Sequence, residues 1–391
     1  KDPVSHKKGV SFSFEEQLPE GTRVASLEIV PKSIQLDSPQ AYNQLLVTGK
    51  LDTGETIDLT RLVDWKLSQP VAEVDERGMI RPASEGRATL TAALGRKKAT
   101  ASVRVGELEL AYNPDFIKDV NPILTRLGCN AGACHGAQDG KAGFKLSLRG
   151  YDMIHDVRAF SDDHAARRVN FASPDDSLML LKATGAVPHE GSAVTDVGSD
   201  FYEAIRQWIS DGATFDRESQ KASRIEIEPQ NPVIREIGGN QQIRVIAHYL
   251  DGSKRDVTGE AIVESGNTEV ALTDDFGLLN TIRRGEAPIL VRYEGAYAAT
   301  TLTVMGDRTG FEWEEPEKWN EIDALVAAKW ERMKIRPSRL TTDTGFIRRI
   351  HLDLTGLPPT PEQITNFVQD PRPSQEKRSA TIDALIGSKE F

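Results

Sequence analysis

The only two cysteines of the 391-residue chain, Cys129 and Cys134, lie five positions apart, and His135 directly follows the second. The run reads Gly128-Cys129-Asn130-Ala131-Gly132-Ala133-Cys134-His135-Gly136. Two thiols and an adjacent imidazole are the parts of the Cys-x-x-Cys-His signature for covalent haem c, in which the sulfurs bond the vinyl groups and the histidine ligates iron. Here the spacer has four residues instead of two. On a regular helix, residues three apart differ by about 60° around the axis, and residues five apart by about 140°. A continuous helix would aim one sulfur away from the macrocycle. The spacer is therefore expected to loop out, with Gly132 supplying a backbone shape that other residues resist. Three other chemistries use these residue types. Structural zinc wants two more soft ligands at set spacing, a short disulfide suits an exported protein, and a thioredoxin-like pair wants two intervening residues.

The surroundings read as a small helical domain. Asn113-Pro114 and Asn121-Pro122 are helix-start signals. Phe116, Val120, Ile123, Leu124 and Leu127 lead into the cysteine run. Ser173-Pro174-Asp175-Asp176 reads as an N-cap, a proline and two acids suited to the helix dipole. A third helix begins near Ser199, and its Phe201, Ile205, Trp208 and Ile209 form one apolar stripe.

The segment from about Asp119 to Gly212 resembles the cytochrome c-like domains abundant in planctomycete bacteria. The matching strings are Val120-Asn121-Pro122-Ile123-Leu124, the Cys-His-Gly run, Gly143-Phe144-Lys145-Leu146-Ser147-Leu148-Arg149-Gly150, Ser177-Leu178-Met179-Leu180-Leu181-Lys182-Ala183-Thr184-Gly185 and Val187-Pro188-His189-Glu190-Gly191. The resemblance implies haem c attached after export, with His135 as the proximal iron ligand. Many small cytochromes place a methionine beside a proline in a late loop as sixth ligand. Val187-Pro188-His189 occupies that place, so His189 is the first candidate. Met179, then Met153, His155 and His164, and an open iron position are the alternatives. Arg167 and Arg168 could pair with the haem propionates, since guanidinium binds carboxylate in a fork, or they are ordinary surface charge.

The flanks form an internal repeat. Short alternating runs separated by Gly, Asp and Pro turns fill Val24 to Val105 and again Arg224 to Val304, which reads as two β-sandwiches. Leu51-Asp52-Thr53-Gly54 corresponds to Leu250-Asp251-Gly252-Ser253, Asp58-Leu59-Thr60 to Asp256-Val257-Thr258, and Glu85-Gly86-Arg87 to Arg284-Gly285-Glu286. Both copies resemble bacterial immunoglobulin-like domains of the group common in surface adhesins. Trp65 is expected to fill the first core, with its counterpart near Val263.

From Trp319 onward the pattern is helical. Arg348-Arg349-Ile350-His351-Leu352-Asp353-Leu354-Thr355-Gly356-Leu357-Pro358-Pro359-Thr360-Pro361 resembles the opening of a domain of undefined function that commonly follows planctomycete cytochrome-like domains. The sequence stops inside this pattern, which reads as the first part of a longer domain. His351 and Asp353 fit a helical core with a buried Arg-Asp pair better than a catalytic pair.

The expected architecture is multidomain: two all-β immunoglobulin-like sandwiches, over 23–106 and 222–306, flank a mainly α cytochrome c-like domain over 113–215, and a helical segment covers 317–391. A net charge of −11, from 48 basic and 59 acidic residues, argues against a nucleic-acid partner. No apolar run approaches the length of a transmembrane helix. The polar start at Lys1 is expected of a mature exported chain whose leader has been removed, and haem c implies the periplasm or cell surface. The expected activity is haem-based electron transfer to a redox partner protein or to further C-terminal domains. The alternatives are a gas sensor or peroxidase-like enzyme with a small gaseous ligand at an open distal site, and a cell-surface structural or carbohydrate-binding protein.

Overall fold

Asp-x-Thr turns set the register of both sandwiches. Asp58 Oδ1 accepts from the backbone N–H (2.9 Å) and hydroxyl (2.6 Å) of Thr60, whose Oγ1 accepts the Val47 N–H at 2.9 Å. Asp256, Thr258 and Val245 repeat this at 3.1, 2.7 and 2.9 Å. The computed structural model describes residues 16–19, 21–109, 112–163 and 167–391.

Each sandwich has the same three sheets. In the first copy, one sheet runs Val24–Val30, Leu46–Leu51, Thr56–Asp58, and a second runs Ser33–Leu36, Lys97–Val105, Gly86–Leu94, Asp64–Leu67. A third small sheet joins Asn43–Gln44, Met79–Pro82 and Ala72–Val74. The second copy has the same orders: Arg224–Glu228, Arg244–His248, Lys254–Asp256; Val233–Ile234, Ala296–Val304, Gly285–Tyr293, Ile262–Ser265; and Asn240–Gln242, Leu278–Thr281, Ala271–Thr273. Even the parallel pairing of the short edge strand recurs, Val103 with Ile34 and Val304 with Ile234. Gly86 and Gly285, at φ of 149° and 153°, open equivalent strands, and a Cβ on either would strike Val71 or Val270 at under 3 Å. The first core is filled by Ile29, Leu45, Leu59, Ile80 and Leu90. Trp65, opposite Ala92, is only half-buried at its margin, so it covers this core instead of filling it. Val263, opposite Val291, has the same marginal place in the second.

The two sandwiches clasp each other through the turns that fold them. Gln44 donates its backbone N–H to Asp256 Oδ2 at 2.9 Å, and Gln242 donates its own to Asp58 Oδ2 at 2.5 Å. Both glutamine side chains are fully buried. Gln44 Nε2 donates to the Arg77 and Leu45 carbonyls, and Gln242 Nε2 to those of Phe276 and Ile243. The contact is reciprocal, as across a two-fold axis. Lys1–Thr309 accordingly forms one compact unit and Gly310–Phe391 another.

Between the sandwiches in sequence, a single π-helical turn, Phe116–Val120, is capped by Asp115 and runs into α1, Asn121–Arg126. Asn113 is thus not the cap. Helices α2 (Met153–Ser161), α3 (Leu178–Ala183) and α4 (Asp200–Ser210) follow. Ser173-Pro174 starts only a short 3-10 turn, and α3 begins after Ser177. The stripe on α4 is buried as its spacing requires: Trp208 and Ile209 are fully enclosed, Phe116 lies 5.2 Å from Trp208, and Trp208 Nε1 donates to the Thr214 carbonyl.

The C-terminal unit holds α5 (Glu321–Arg332), α6 (Asp343–Thr355), α7 (Pro361–Gln369) and α8 (Ser374–Ile386). Thr360 and Gln363 close a capping box on α7. His351 is buried, but Asp353 is exposed. The ion pairs that tie α6 to α8 come from Asp343, with Lys377 at 2.6 Å and Arg378 at 2.9 Å. Thr342 caps α6 by accepting the Gly345 N–H, and Asp343 is an acid in the first turn, where it suits the dipole.

Candidate cofactor site between two histidines

Helix α1 stops because Gly128 turns left-handed, at φ 77°. The chain then folds into nested turns. Cys129 N–H bonds the Leu124 carbonyl at 2.9 Å, Cys134 N–H bonds Ala131 at 2.9 Å, and His135 N–H returns to the Cys129 carbonyl at 3.0 Å. That last bond closes the spacer into a ring and brings the Cys134-His135 pair back beside Cys129. The spacer does loop out. Gly132, however, is not its special glycine, because its φ is not positive and its space is not cramped. The cramped position is Gly136, where a Cβ would lie 2.0 Å from the Asn130 carbonyl oxygen. Asn130 is itself buried and anchors the loop, its side chain donating to Thr125 at 2.8 Å and its carbonyl accepting Arg149 N–H at 3.0 Å. Burial pushes the Cys129 thiol up to about 12, with Cys134 adding to the rise. Cys134 is also raised by burial, against the opposing charge of Lys141.

His135 and His189 face one another from different loops. Their ring centroids are 6.3 Å apart and their planes differ by 7°. His135 Nδ1 lies 3.2 Å from the Phe144 carbonyl oxygen, and His189 Nδ1 lies 3.0 Å from that of Ser192. A backbone carbonyl takes the proton of Nδ1 in each ring. That fixes one tautomer and leaves Nε2 with its lone pair, the arrangement found on metal-ligating histidines. Burial lowers the pKa of His135, against the Phe144 carbonyl and with His189 adding to the fall, so its neutral, ligating form is favoured. The 189 loop is itself closed by Ser192 N–H on the His189 carbonyl at 3.0 Å, and Lys182 Nζ donates to the Pro188 carbonyl.

The remaining residues singled out from sequence take lesser places. Arg168 is held by two backbone carbonyls and an aromatic face. Its Nη1 donates to the Ala159 carbonyl at 2.7 Å, its Nη2 to Gly143 at 3.3 Å, and the guanidinium lies 4.3 Å above the Phe144 ring. It braces the turn whose carbonyl holds His135. Arg167 is exposed. Met179 packs against the helical core and Met153 is buried in it. His155 is exposed on α2, and His164 lies outside the described residues. Sequence reasoning missed Phe144, which gives His135 both its acceptor and a ring contact at 4.6 Å. Among the described residues, no group of three or more His, Cys, Asp or Glu side chains converges as a metal cage.

The Nδ1–carbonyl contacts of both imidazoles fit a metal-ligating role, and His135 and His189 are the residues that would hold a haem iron.

Residues 321–391 match the family PSCyt2, described as a protein of unknown function (DUF1549), in agreement with the resemblance read from its opening residues. Ice-binding protein 1 of Shewanella frigidimarina is 25% identical over 253 residues, which are 63% of this chain and 25% of that protein. The chain therefore spans about a quarter of the length of this curated relative. Among solved structures, domains 5–6 of the S-layer protein SbsC are similar over 72% of this chain and 99% of theirs, at 9% identity and TM-score 0.29. Domains EC1-2 of human protocadherin-24 are similar over 73% and 100%, at 7% identity and TM-score 0.16. Among the described residues no helix is long and apolar enough to cross a membrane.

Proposed function

We propose that residues 113–215 form an exported c-type haem domain that serves electron transfer, in which Cys129 and Cys134 would tether the haem and His135 and His189 would hold its iron. The observation that carries the proposal is the paired imidazoles, 6.3 Å apart and near parallel, each with Nδ1 on a backbone carbonyl. Haem c supplies one-electron chemistry when bound. The chain's part is to hold both ligands neutral and oriented. The Phe144 and Ser192 carbonyls fix the tautomers and raise ligand basicity. Phe144 packs against the His135 ring and, through edge contacts of 5.1 and 6.3 Å, links it to Phe160 and Trp208 in the core. With two imidazoles and no methionine to hold the iron, the potential would be lower than that of a His-Met pair. His189 also weighs against the open distal site that a gas sensor or peroxidase-like enzyme needs.

The test is maturation of the full chain in a haem c assembly system. Haem should stay with the polypeptide after acid-acetone extraction, and the spectrum should be low-spin. His189→Ala should turn it high-spin and open it to carbon monoxide. Wild-type protein that already binds carbon monoxide, with a spin state indifferent to His189→Ala, removes His189 from the ligand set. A second reading is a cell-surface structural or binding protein without haem. The reciprocal clasp between the sandwiches favours it, as does partial similarity to a protein named for ice binding. Absence of a Soret band after maturation would decide for that reading.

A further inference from the structure

A cleft of about 1340 Å³ opens where the two sandwiches and the helical domain meet. That exceeds the roughly 300–1,000 Å³ of pockets for single small molecules, so it has room for an extended ligand. Its walls are charged, but the charges are matched. Arg81 pairs with Asp200, Arg126 with Asp275 at 2.9 Å, and Arg255 with Asp119 at 2.6 Å. Arg244 divides between Asp256 at 2.8 Å and Glu228 at 3.0 Å. Among the described residues, the lining charges outside any ion pair are Asp196 and Lys254, one of each sign. Arg81 and Asp200 form the most open of these pairs, at 42% and 71% side-chain exposure. A carboxylate has acceptor sites beyond the one its arginine takes, and a guanidinium has further N–H donors. A matched pair therefore sets donors and acceptors side by side, with little net field to hold an ion. A hydroxyl donates and accepts at once, and it suits such a surface. Tyr42, Tyr112 and Phe201, all half-buried, also line the cleft. Their rings supply apolar faces between the polar groups.

Independently of the haem reading, we propose that this cleft binds a neutral oligosaccharide chain. Arg81 and Asp200 hydrogen-bond its hydroxyls where the first sandwich meets α4, and the rings of Tyr42 and Phe201 pack against the C–H faces of its pyranose units. A single sugar fills too little of the cleft to be held. An anion or a cation finds no uncompensated group of opposite sign beyond Lys254 or Asp196.

The test is isothermal titration calorimetry of the full chain, with or without haem, against cellohexaose, mannohexaose, xylohexaose and maltohexaose. At least one should bind one to one, with an affinity indifferent to salt, and its monosaccharide should give no measurable heat. The combined change Arg81→Ala, Asp200→Ala removes hydrogen-bonding groups from an exposed pair and should weaken binding by about tenfold. Ser33 is exposed on the cleft wall, and Ser33→Trp should abolish binding by filling the space. Thermal unfolding of both variants should match the wild type, which keeps the loss assigned to the cleft. No heat with any of the four hexasaccharides overturns the proposal. Binding that both variants leave unchanged places the sugar elsewhere and overturns it too. Tighter binding of hexagalacturonate or of the basic peptide hexalysine, weakening as salt rises, shows a cleft built for charge and also overturns it. Each of these results leaves the haem reading untouched, since that reading fails on the Soret band alone.

Discussion

Replacing Glu294 by glutamine should remove most of a pH-dependent weakness at the junction between the helical domain and the second sandwich. Glu294 sits at the hairpin tip between Gly285–Tyr293 and Ala296–Val304, in a left-handed conformation at φ 47°. Its Oε2 accepts the N–H of Ala222, the residue where the chain enters the second sandwich, at 2.5 Å. Burial raises its pKa from 4.5 to about 7, and the Ala222 N–H and Arg255 offset only part of that rise. A carboxyl raised on folding means that the native state holds the proton more tightly than the unfolded one. Stability then falls as pH rises from 4.5 to about 7, and it is level above that. At about 1.4 kcal/mol for each pH unit between those values, the loss is about 3 kcal/mol. Glutamine keeps a carbonyl oxygen for Ala222 and has no charge to bury. Urea unfolding of wild type and Glu294→Gln at pH 5 and pH 8, with hydrogen exchange at Ala222 and the hairpin, reads the difference. The variant should gain on the wild type by about 3 kcal/mol between the two pH values, and the gain should be local to the hairpin and Ala222. Parallel pH profiles for the two proteins would refute the reasoning.

Gly136→Ala should break the cysteine loop, because its Cβ would meet the Asn130 carbonyl at 2.0 Å and the backbone must shift. A steep fall in covalent haem per chain by mass spectrometry is expected, and full loading would count against the loop geometry. Asp256→Ala removes the acceptor of Gln44 N–H and of Arg244 Nε, whose bond is 2.8 Å long and almost wholly enclosed. Breaking such a pair costs about 3–5 kcal/mol. The sandwiches should part, raising the radius of gyration in solution scattering, and an unchanged radius would deny the clasp its role.

What was legible in the sequence was short-range chemistry. Asp58-Leu59-Thr60 and Asp256-Val257-Thr258 could be matched because an aspartate bonding a threonine two residues on is a local event. Ser199 read as the start of a helix for the same reason. His189 was reachable through its place after a proline in a late loop. Its acceptor Ser192, and the Phe144 carbonyl that holds His135, were not, since a backbone carbonyl leaves no mark on residue type. Arg168 looked like a ligand for a carboxylate because its charge is visible, whereas the Phe144 face it covers is a tertiary fact. Asp353 was the wrong acid for the C-terminal unit, because the helix-start position of Asp343 and the distant Lys377 and Arg378 decide the pairing. The clasp was least legible of all. Gln44 and Asp256 are more than 200 positions apart, and no local pattern distinguishes a glutamine that will be buried from one that will not.

The helical domain is tied to the sandwiches by arginines of unequal weight. Arg81 meets Asp200 from the first sandwich, but both side chains are largely in water, where such a pair contributes little. Arg126 reaches Asp275 of the second sandwich at 2.9 Å from a mostly enclosed position. Arg255 is more committed. Its Nη1 donates to Asp119 at 2.6 Å, and its Nη2 donates to the Lys118 carbonyl and to the Tyr293 hydroxyl, each at 2.8 Å. It grips the turn that opens the helical domain just before α1, the helix that delivers Cys129. A partly buried guanidinium held by several acceptors adds little net stability but permits few orientations. The second sandwich therefore sets the direction in which the cysteine loop faces. The first sandwich holds that arrangement indirectly, by clasping its twin through Gln44 and Gln242. The repeat then has a mechanical reading: one copy orients the helical domain, and the other locks the copy that does so.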